Sequence, residues 1–459
     1  MDLSTARSLY FSSSSVFTRW TSGVIVSYAR SWAFRVLSDG LKSDTRLTII
    51  DGDGEHEFGP TPSKDSPTIV LKVHNDSMWA RILLSHDLGL GEAYMQGDFE
   101  VSSLKGLLNL WLDNRKSLQG LQNAFSSTMA SYSAVAINAL GRQTLKMSRI
   151  HVEVSYDVSN EFYQCFLSED MMYSCALWGE EEGGVRGDLT HGPKPGDLEA
   201  AQLRKIRHLL RKARVRPGDH ILELGSGWGA VAIEAARMGC YIETVTLSVE
   251  QKTLADQRIA EAGLSDRAKV HLCDYRNLPA AFEKSFDALV SSEMIEAVGV
   301  RQIDTWIKIV DWALKADRAT AVITSTSCPE FRYSTFQQDD FARHYHWPNC
   351  HIHSATSLAM AFQAAAPGKF VLASLEDHGI HYARTLREWG RRLEKNFKGD
   401  VVAGLQKKYP HLRSERNLRA FKAKFEYLFV YAEVGFARAY TSCNCWTFAR
   451  PENAVELCS

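Results

Sequence analysis

HILELGSGWGAVAIEAARMGCYIETVTLSVEQ, residues His220–Gln251, is the stretch that decides the fold. HILELG is an apolar run of strand length that stops at a glycine, and WGAVAIEAARMG has the spacing of a helix. YIETVTLS is a second strand and VEQKTLADQRIAEAG a second helix. Upstream, EAAQLRKIRHLLRKARV (199–215) reads as a further helix. Downstream, AKVHLCDY (268–275), FDALVSSEM (286–294) and RATAVITSTS (318–327) read as strands, the last two separated by the helix RQIDTWIKIVDWALK (301–315). Strands alternating with helices imply a parallel sheet covered on both faces. The fold class is therefore α/β and Rossmann-like. After Ser327 the rhythm breaks, and residues 328–430, largely helical and aromatic-rich, are expected to form an insertion over the carboxyl edge of the sheet. CWTFARP (445–451) reads as a last strand.

Before this region, RLTIIDGDGEHEFG (46–59) reads as strand, Asp-Gly turn, strand, and PTIVLKVHN (67–75) as another strand. MWARILLSHDLGLGEAYMQGDFEV (78–101) looks helical with glycine breaks, and 104–145 has mostly helical periodicity. A chain of 459 residues is too long for one ordinary core. The expected division is 1–145, a smaller N-terminal α+β domain and connector, and 146–459, the α/β domain with its insertion.

With a formal net charge of −1, no global basic field argues for a nucleic-acid partner. The nine cysteines are odd in number, show no recurring spacing and include no CxxC pair, which reads as free thiols in a reducing compartment. HYHWPNCHIH holds His344, His346, Cys350, His351 and His353, but in no usual zinc template, so no metal is expected. No uncharged apolar run approaches about 18 residues, the length of a membrane-spanning helix. Residues 1–37 are Ser-rich, with Arg7, Arg19, Arg30 and Arg35 against one acid, Asp2. Three readings stay open there: a helix docked on the protein's own body, an interfacial amphipathic helix, and a mitochondrial transit segment.

The chemistry is concentrated at strand ends. Gly225, Gly227 and Gly229 let the backbone turn tightly and approach a ligand, although a glycine loop alone is a weak signal. Glu223, just before the first glycine, suits a cofactor with a sulfonium and an amino group. The second strand ends in Thr246, Leu247, Ser248 and Gln251, where a nicotinamide-binding fold would carry an acid for the ribose. Asp274 and Tyr275 end the third strand, Asp274 in place to read an adenine amino group. The alternative is that these are ordinary strand-end polar residues.

YDVSNEFYQCFLSEDMMYSCALW (156–178), ELGSGWG, VTLSVEQ, DYRNLP, SSEMIEAVG and HYARTLREWGRRLEKN (381–396) together, in order, closely resemble the motifs of the cyclopropane fatty acid and mycolic acid cyclopropane synthases. The segment before residue 145 is similar to the N-terminal domain of the longer bacterial-type members. The resemblance implies a class I S-adenosylmethionine-dependent methyltransferase that adds a methyl group to the cis double bond of a phospholipid acyl chain and closes a cyclopropane ring by proton loss, with bicarbonate as the base. It implies cofactor contacts at Tyr173 and Ser174, at the three glycines, over Thr246 to Gln251, and at Asp274 and Tyr275. Cys175, Glu296 and Tyr382 match side chains that hold bicarbonate. Each has a plainer reading: Cys175 a small core residue, Glu296 a helix cap, Tyr382 a packed aromatic. The resemblance further implies a homodimer and a cytoplasmic enzyme peripheral at membranes. RRLEKNFKGD (391–400) with Lys407 and Lys408 reads first as a solvated helix face, and second as a patch that meets anionic headgroups.

The sequence departs from the family pattern at three places. Ala297 and Thr324 stand where histidines are usual, and Ala432 where a cysteine is often found. A threonine cannot become a cation near neutral pH, so ring closure is in more doubt than methyl transfer. Three alternatives follow: a methyl-branched lipid product, methylation of a small-molecule amine, and a catalytically idle lipid-binding protein.

Overall fold

The computed structural model describes residues 23–60, 67–118 and 158–453. The chain up to residue 22, the connector beyond residue 118 and Tyr156 of the entry motif lie outside the described residues. Among these residues two compact units emerge, one drawn from within 1–137, 338–341 and 412–431, the other from within 138–337, 342–411 and 432–459.

In the first unit, helix α1 (Gly23–Gly40) is followed by strands β1 (Arg46–Asp51), β2 (Gly54–Phe58) and β3 (Thr68–Val73), helix α2 (Ser77–Gln96), strand β4 (Phe99–Val101) and helix α3 (Leu104–Asn114). The sheet order is β2-β1-β3-β4. β1 and β2 form the expected hairpin, with Asp51 opposite Gly54. Leu47, Ile49, Ile69 and Leu71 turn one face onto Ala29, Trp79 and Leu107. The interruption in α2 falls at His86 (φ 53°), not at its glycines. The Ser103 hydroxyl accepts from the Gly106 N–H and starts α3.

The second unit holds helix α4 (Asp197–Lys212), then β5 (His220–Leu224), α5 (Ala230–Arg237), β6 (Tyr241–Thr246), α6 (Val249–Glu261), β7 (Ala268–Leu272), β8 (Ala288–Ser292), α7 (Ile303–Ala313), β9 (Thr320–Ser327), α8 (Ala355–Ala365), β10 (Val371–Asp377), α9 (Gly379–Asn396) and β11 (Ser442–Ala449). Its seven strands lie in the order β10-β11-β9-β8-β5-β6-β7. β5 pairs in parallel with both β6 and β8, so the order reverses there and opens a crevice at their carboxyl ends. β11 inserts antiparallel between β9 and β10.

Strand β10 departs from the helical insertion expected over 328–430. VLASLED carries helix formers and no alternation, because it is an edge strand with Val371, Leu372 and Leu375 exposed. Only its long-range ladder to β11 fixes its state, as tertiary pairing overrides weak propensity. The sheet core is closed by Trp306, fully buried, and by Phe362 stacked on Phe448 at 3.7 Å.

Candidate active site

At the ends of β5, β6 and β7 the expected cofactor residues lie side by side. Gly225 (φ 96°) and Gly229 (φ 87°) sit in the left-handed region. A Cβ on Gly225 would stand 3.1 Å from the Met294 Cβ, so glycine is required there both for conformation and for space. Glu223 is buried, and burial pushes its carboxyl up to about 8. Its Oε2 has no hydrogen-bond partner among the described residues, which marks it as an acceptor awaiting a donor. The Thr246 hydroxyl donates to Gln251 Oε1 at 2.8 Å, and the Ser248 hydroxyl accepts from the Gln251 N–H at 3.1 Å, capping α6. Leu247 is half-buried between them. Asp274 is clasped by Arg276, which donates from N and Nε to Oδ1 and from Nη2 to Oδ2. Burial pushes the Tyr275 phenol up to about 12. The turn with glycines at 225, 227 and 229 and the orphaned Glu223 oxygen fit S-adenosylmethionine, whose amino acid part brings an ammonium donor.

The second half of the site collects at the ends of β8, β9 and β11. Its centre is Glu293, which the sequence reading passed over. The Cys175 N–H donates to its Oε1 at 2.7 Å, and the Tyr382 hydroxyl donates to its Oε2 at 2.6 Å. The Cys443 thiol lies 3.9 Å from Oε1. Glu293 adopts φ 52°, a left-handed conformation costly for a non-glycine residue and typical of functional sites. Burial raises its carboxyl above the ordinary range, opposed first by the charge of Lys205 and then by the Tyr382 hydrogen bond. Burial pushes Tyr382 well above the usual phenol range and the Cys175 thiol up.

Cys175 and Tyr382 thus meet on one carboxylate, as a base-holding pair should, but that carboxylate belongs to the protein. Their donors are already engaged, so a bicarbonate ion does not fit on them. Glu296 serves a neighbouring position. Its Oε1 accepts from the Thr326 N–H at 2.7 Å and its Oε2 has no partner among the described residues. Burial, then the charge of Glu293, push it up to about 8. The Thr324 hydroxyl donates to Ser292 Oγ at 3.2 Å, and its carbonyl accepts from the Glu293 N–H at 2.8 Å.

Tyr173 and Ser174 lead into Cys175. The Tyr173 ring packs on Trp389 at 5.1 Å and Trp347 at 6.3 Å, and Tyr382 stacks on Phe436 at 4.5 Å. Such rings present negative faces to a developing cation. In HYHWPNCHIH, burial lowers His351 to about 3 and His353 to about 4, so both are neutral. His208, Glu376 and Cys445 bring ligating atoms within 4.8 Å of one another. The Glu376 oxygens, however, are already held by His208 Nε2 at 2.6 Å and Lys212 Nζ at 2.5 Å.

Lys205 was also missed. A signal for it existed: it falls on the apolar stripe of α4, four residues from both Ala201 and Leu209. For Glu293 the signal was an acid directly after a strand at the carboxyl edge of the sheet.

A Rossmann-like sheet with a glycine turn at its switch point and a cluster of buried titratable side chains beside it has the build of a class I S-adenosylmethionine-dependent methyltransferase. The family model described as mycolic acid cyclopropane synthetase matches residues 143–431. The chain is 31% identical to the tuberculostearic acid methyltransferase UfaA1 of Mycobacterium tuberculosis, over 88% of each chain. It is 29% identical to the cyclopropane-fatty-acyl-phospholipid synthase of Escherichia coli K12, over 70% of this chain and 76% of the relative. The solved structure of the mycolic acid cyclopropane synthase CmaA1 with SAH and CTAB superposes with a TM-score of 0.53 at 22% identity, covering 66% of this chain and 98% of the other. The chain belongs to the mycolic acid cyclopropane synthetase family and is an S-adenosylmethionine-dependent methyltransferase. Among the described residues no helix is long and apolar enough to cross a membrane.

Proposed function

We propose that this enzyme methylates the cis double bond of an unsaturated phospholipid acyl chain and closes a cyclopropane ring, with Glu293 as the proton acceptor. The observation that carries this reading is the Glu293 carboxylate held on the Cys175 N–H and the Tyr382 hydroxyl. When bound, S-adenosylmethionine supplies an electrophilic methyl group to the alkene, leaving a lipid carbocation that must lose a proton. The chain's residues then have distinct tasks. Glu223 and the turn Gly225–Gly229 hold the cofactor. Tyr173, Trp347, Trp389 and Phe436 shield the cation from water, which would trap it as an alcohol. Cys175 and Tyr382 orient the carboxylate, which needs no external base. Arg391, Arg392 and Lys408 are paired with Asp188, Glu199 and Glu250, so the positive charge for anionic headgroups at a bilayer surface falls chiefly to Lys395 and Lys407.

A second reading, a methyl-branched product, is favoured by the similarity to a tuberculostearic acid methyltransferase over 88% of the chain. One experiment separates the two. Vesicles of unsaturated phosphatidylglycerol are incubated with methyl-deuterated cofactor, and the lipid is analysed by mass spectrometry and NMR. Ring-proton signals on a product lacking one of the label's deuterons support the cyclopropane. Branch signals support the second reading. Label in an added amine but not in lipid would overturn both.

A further inference from the structure

Helix α4 buries Leu198, Ala201, Gln202, Lys205, Ile206 and Leu209 along one stripe, and Lys205 is the one charge in it, 3% exposed. A buried ammonium is costly unless it is hydrogen-bonded and balanced by charge. Its Nζ donates to the Ser174 hydroxyl at 2.5 Å and lies 3.3 Å from the Ser292 hydroxyl. Both partners are neutral, yet their places in the chain are telling. Ser174 immediately precedes Cys175 and Ser292 immediately precedes Glu293, so one ammonium grips the residue before each end of the Cys175 N–H···Glu293 bond.

The other titratable groups around Glu293 are the Cys175 thiol from the entry loop, the Tyr382 phenol from α9, the Cys443 thiol from β11 and the Glu296 carboxyl after β8. None of these is a cation. Burial pushes the Cys175 thiol and the Tyr382 phenol up and Glu296 up to about 8, and the hydrogen bond with Cys175, then burial, push the Cys443 thiol up, which leaves all four mostly neutral near pH 7. Lys205 is therefore the cation that opposes the effect of burial on Glu293, ahead of the Tyr382 hydrogen bond, while burial lowers its own pKa, opposed first by the charge of Glu293.

We infer that Lys205 is a positioning residue for the proton-accepting step, joining the Ser174–Cys175 and Ser292–Glu293 segments and supplying the counter-charge that keeps Glu293 ionised. This rests on the reading of Glu293 as the proton acceptor. A base works only when deprotonated, and a nearby cation lowers a carboxyl pKa. Removing the cation lets the Glu293 pKa rise further, so activity is lost at low pH and regained at higher pH.

The test is the pH profile of kcat for the full-length enzyme and for Lys205→Met and Lys205→Gln, with cofactor affinity measured by calorimetry. Either neutral variant suffices if only one is soluble, and Lys205→Arg serves as the charge-keeping control. The expected result is an acid limb displaced upward by about one pH unit or more, the size of shift a nearby opposite charge produces, with KM for lipid and cofactor affinity little changed. An equal fall in kcat at every pH, with the limb in place, would show a merely structural lysine and overturn the inference. Glu293→Gln is measured in parallel: full activity in that variant would instead overturn the reading of Glu293, whatever the Lys205 variants do.

Discussion

The cofactor half and the reaction half of the site sit on the same sheet edge but are built on different principles. The cofactor half is made of contiguous segments, and apart from the Glu223 oxygen its polar groups satisfy one another locally: Thr246 with Gln251, Ser248 with Gln251, Asp274 with Arg276. The reaction half gathers Cys175, Lys205, Glu293, Tyr382 and Cys443 from five separate segments and buries their titratable groups together. Local self-sufficiency suits a site that recognises one constant ligand. Buried, mutually dependent charges suit a site that must hold a base in a dry chamber.

The sharpest way to break this contrast is Glu293→Gln. It keeps the shape and removes the base, so turnover is expected to fall roughly 10²- to 10⁴-fold, the usual worth of a general base, while calorimetry finds cofactor affinity unchanged. The reverse pattern is expected for Gly225→Val. Its φ of 96° and the 3.1 Å approach to Met294 cost a side chain roughly 1–3 kcal/mol of strain. That weakens cofactor binding about 5- to 150-fold. Tyr382→Phe deletes one hydrogen bond to a charged group, worth about 1.5–3 kcal/mol. Its kcat should drop roughly 10- to 150-fold, and its acid limb should move to higher pH, because a donor that favoured the ionised carboxylate is gone.

Glu296→Gln should have the smallest effect on turnover. Its carboxyl, pushed up to about 8, is already mostly protonated at pH 7, and Gln mimics that neutral form. The difference should appear in stability. A carboxyl whose folded pKa is raised favours the fold at low pH and loses that advantage as pH climbs from its unfolded value toward 8. The variant should therefore melt higher than the parent at pH 9 and alike at pH 5, as thermal unfolding at the two pH values would show.

The same contrast explains what the sequence disclosed. The doubly wound sheet, the glycine turn and the hairpin of the first unit were legible because each is written in neighbouring residues. Tyr382 and Cys175 were legible through family resemblance, and they do converge. Glu293 was not, because an acid after a strand is a weak signal beside the equally buried Glu296, and the partners that single it out, Cys175 and Tyr382, lie far away in the chain. Lys205 looked like one more cation in a basic helix, since its burial depends on β8 and on the loop carrying Ser174. Strand β10 was hidden for a similar reason, its partner lying some seventy residues downstream.

The central claim is that this methyltransferase carries its own base. Turnover of unsaturated phospholipid in carbon dioxide-free buffer, measured with and without added bicarbonate, tests it most directly. The account predicts the same rate in both for the parent enzyme, and stimulation by bicarbonate only in Glu293→Gly, where the emptied seat offers the Cys175 N–H and the Tyr382 hydroxyl to an external anion. A parent enzyme that stalls without bicarbonate would contradict it.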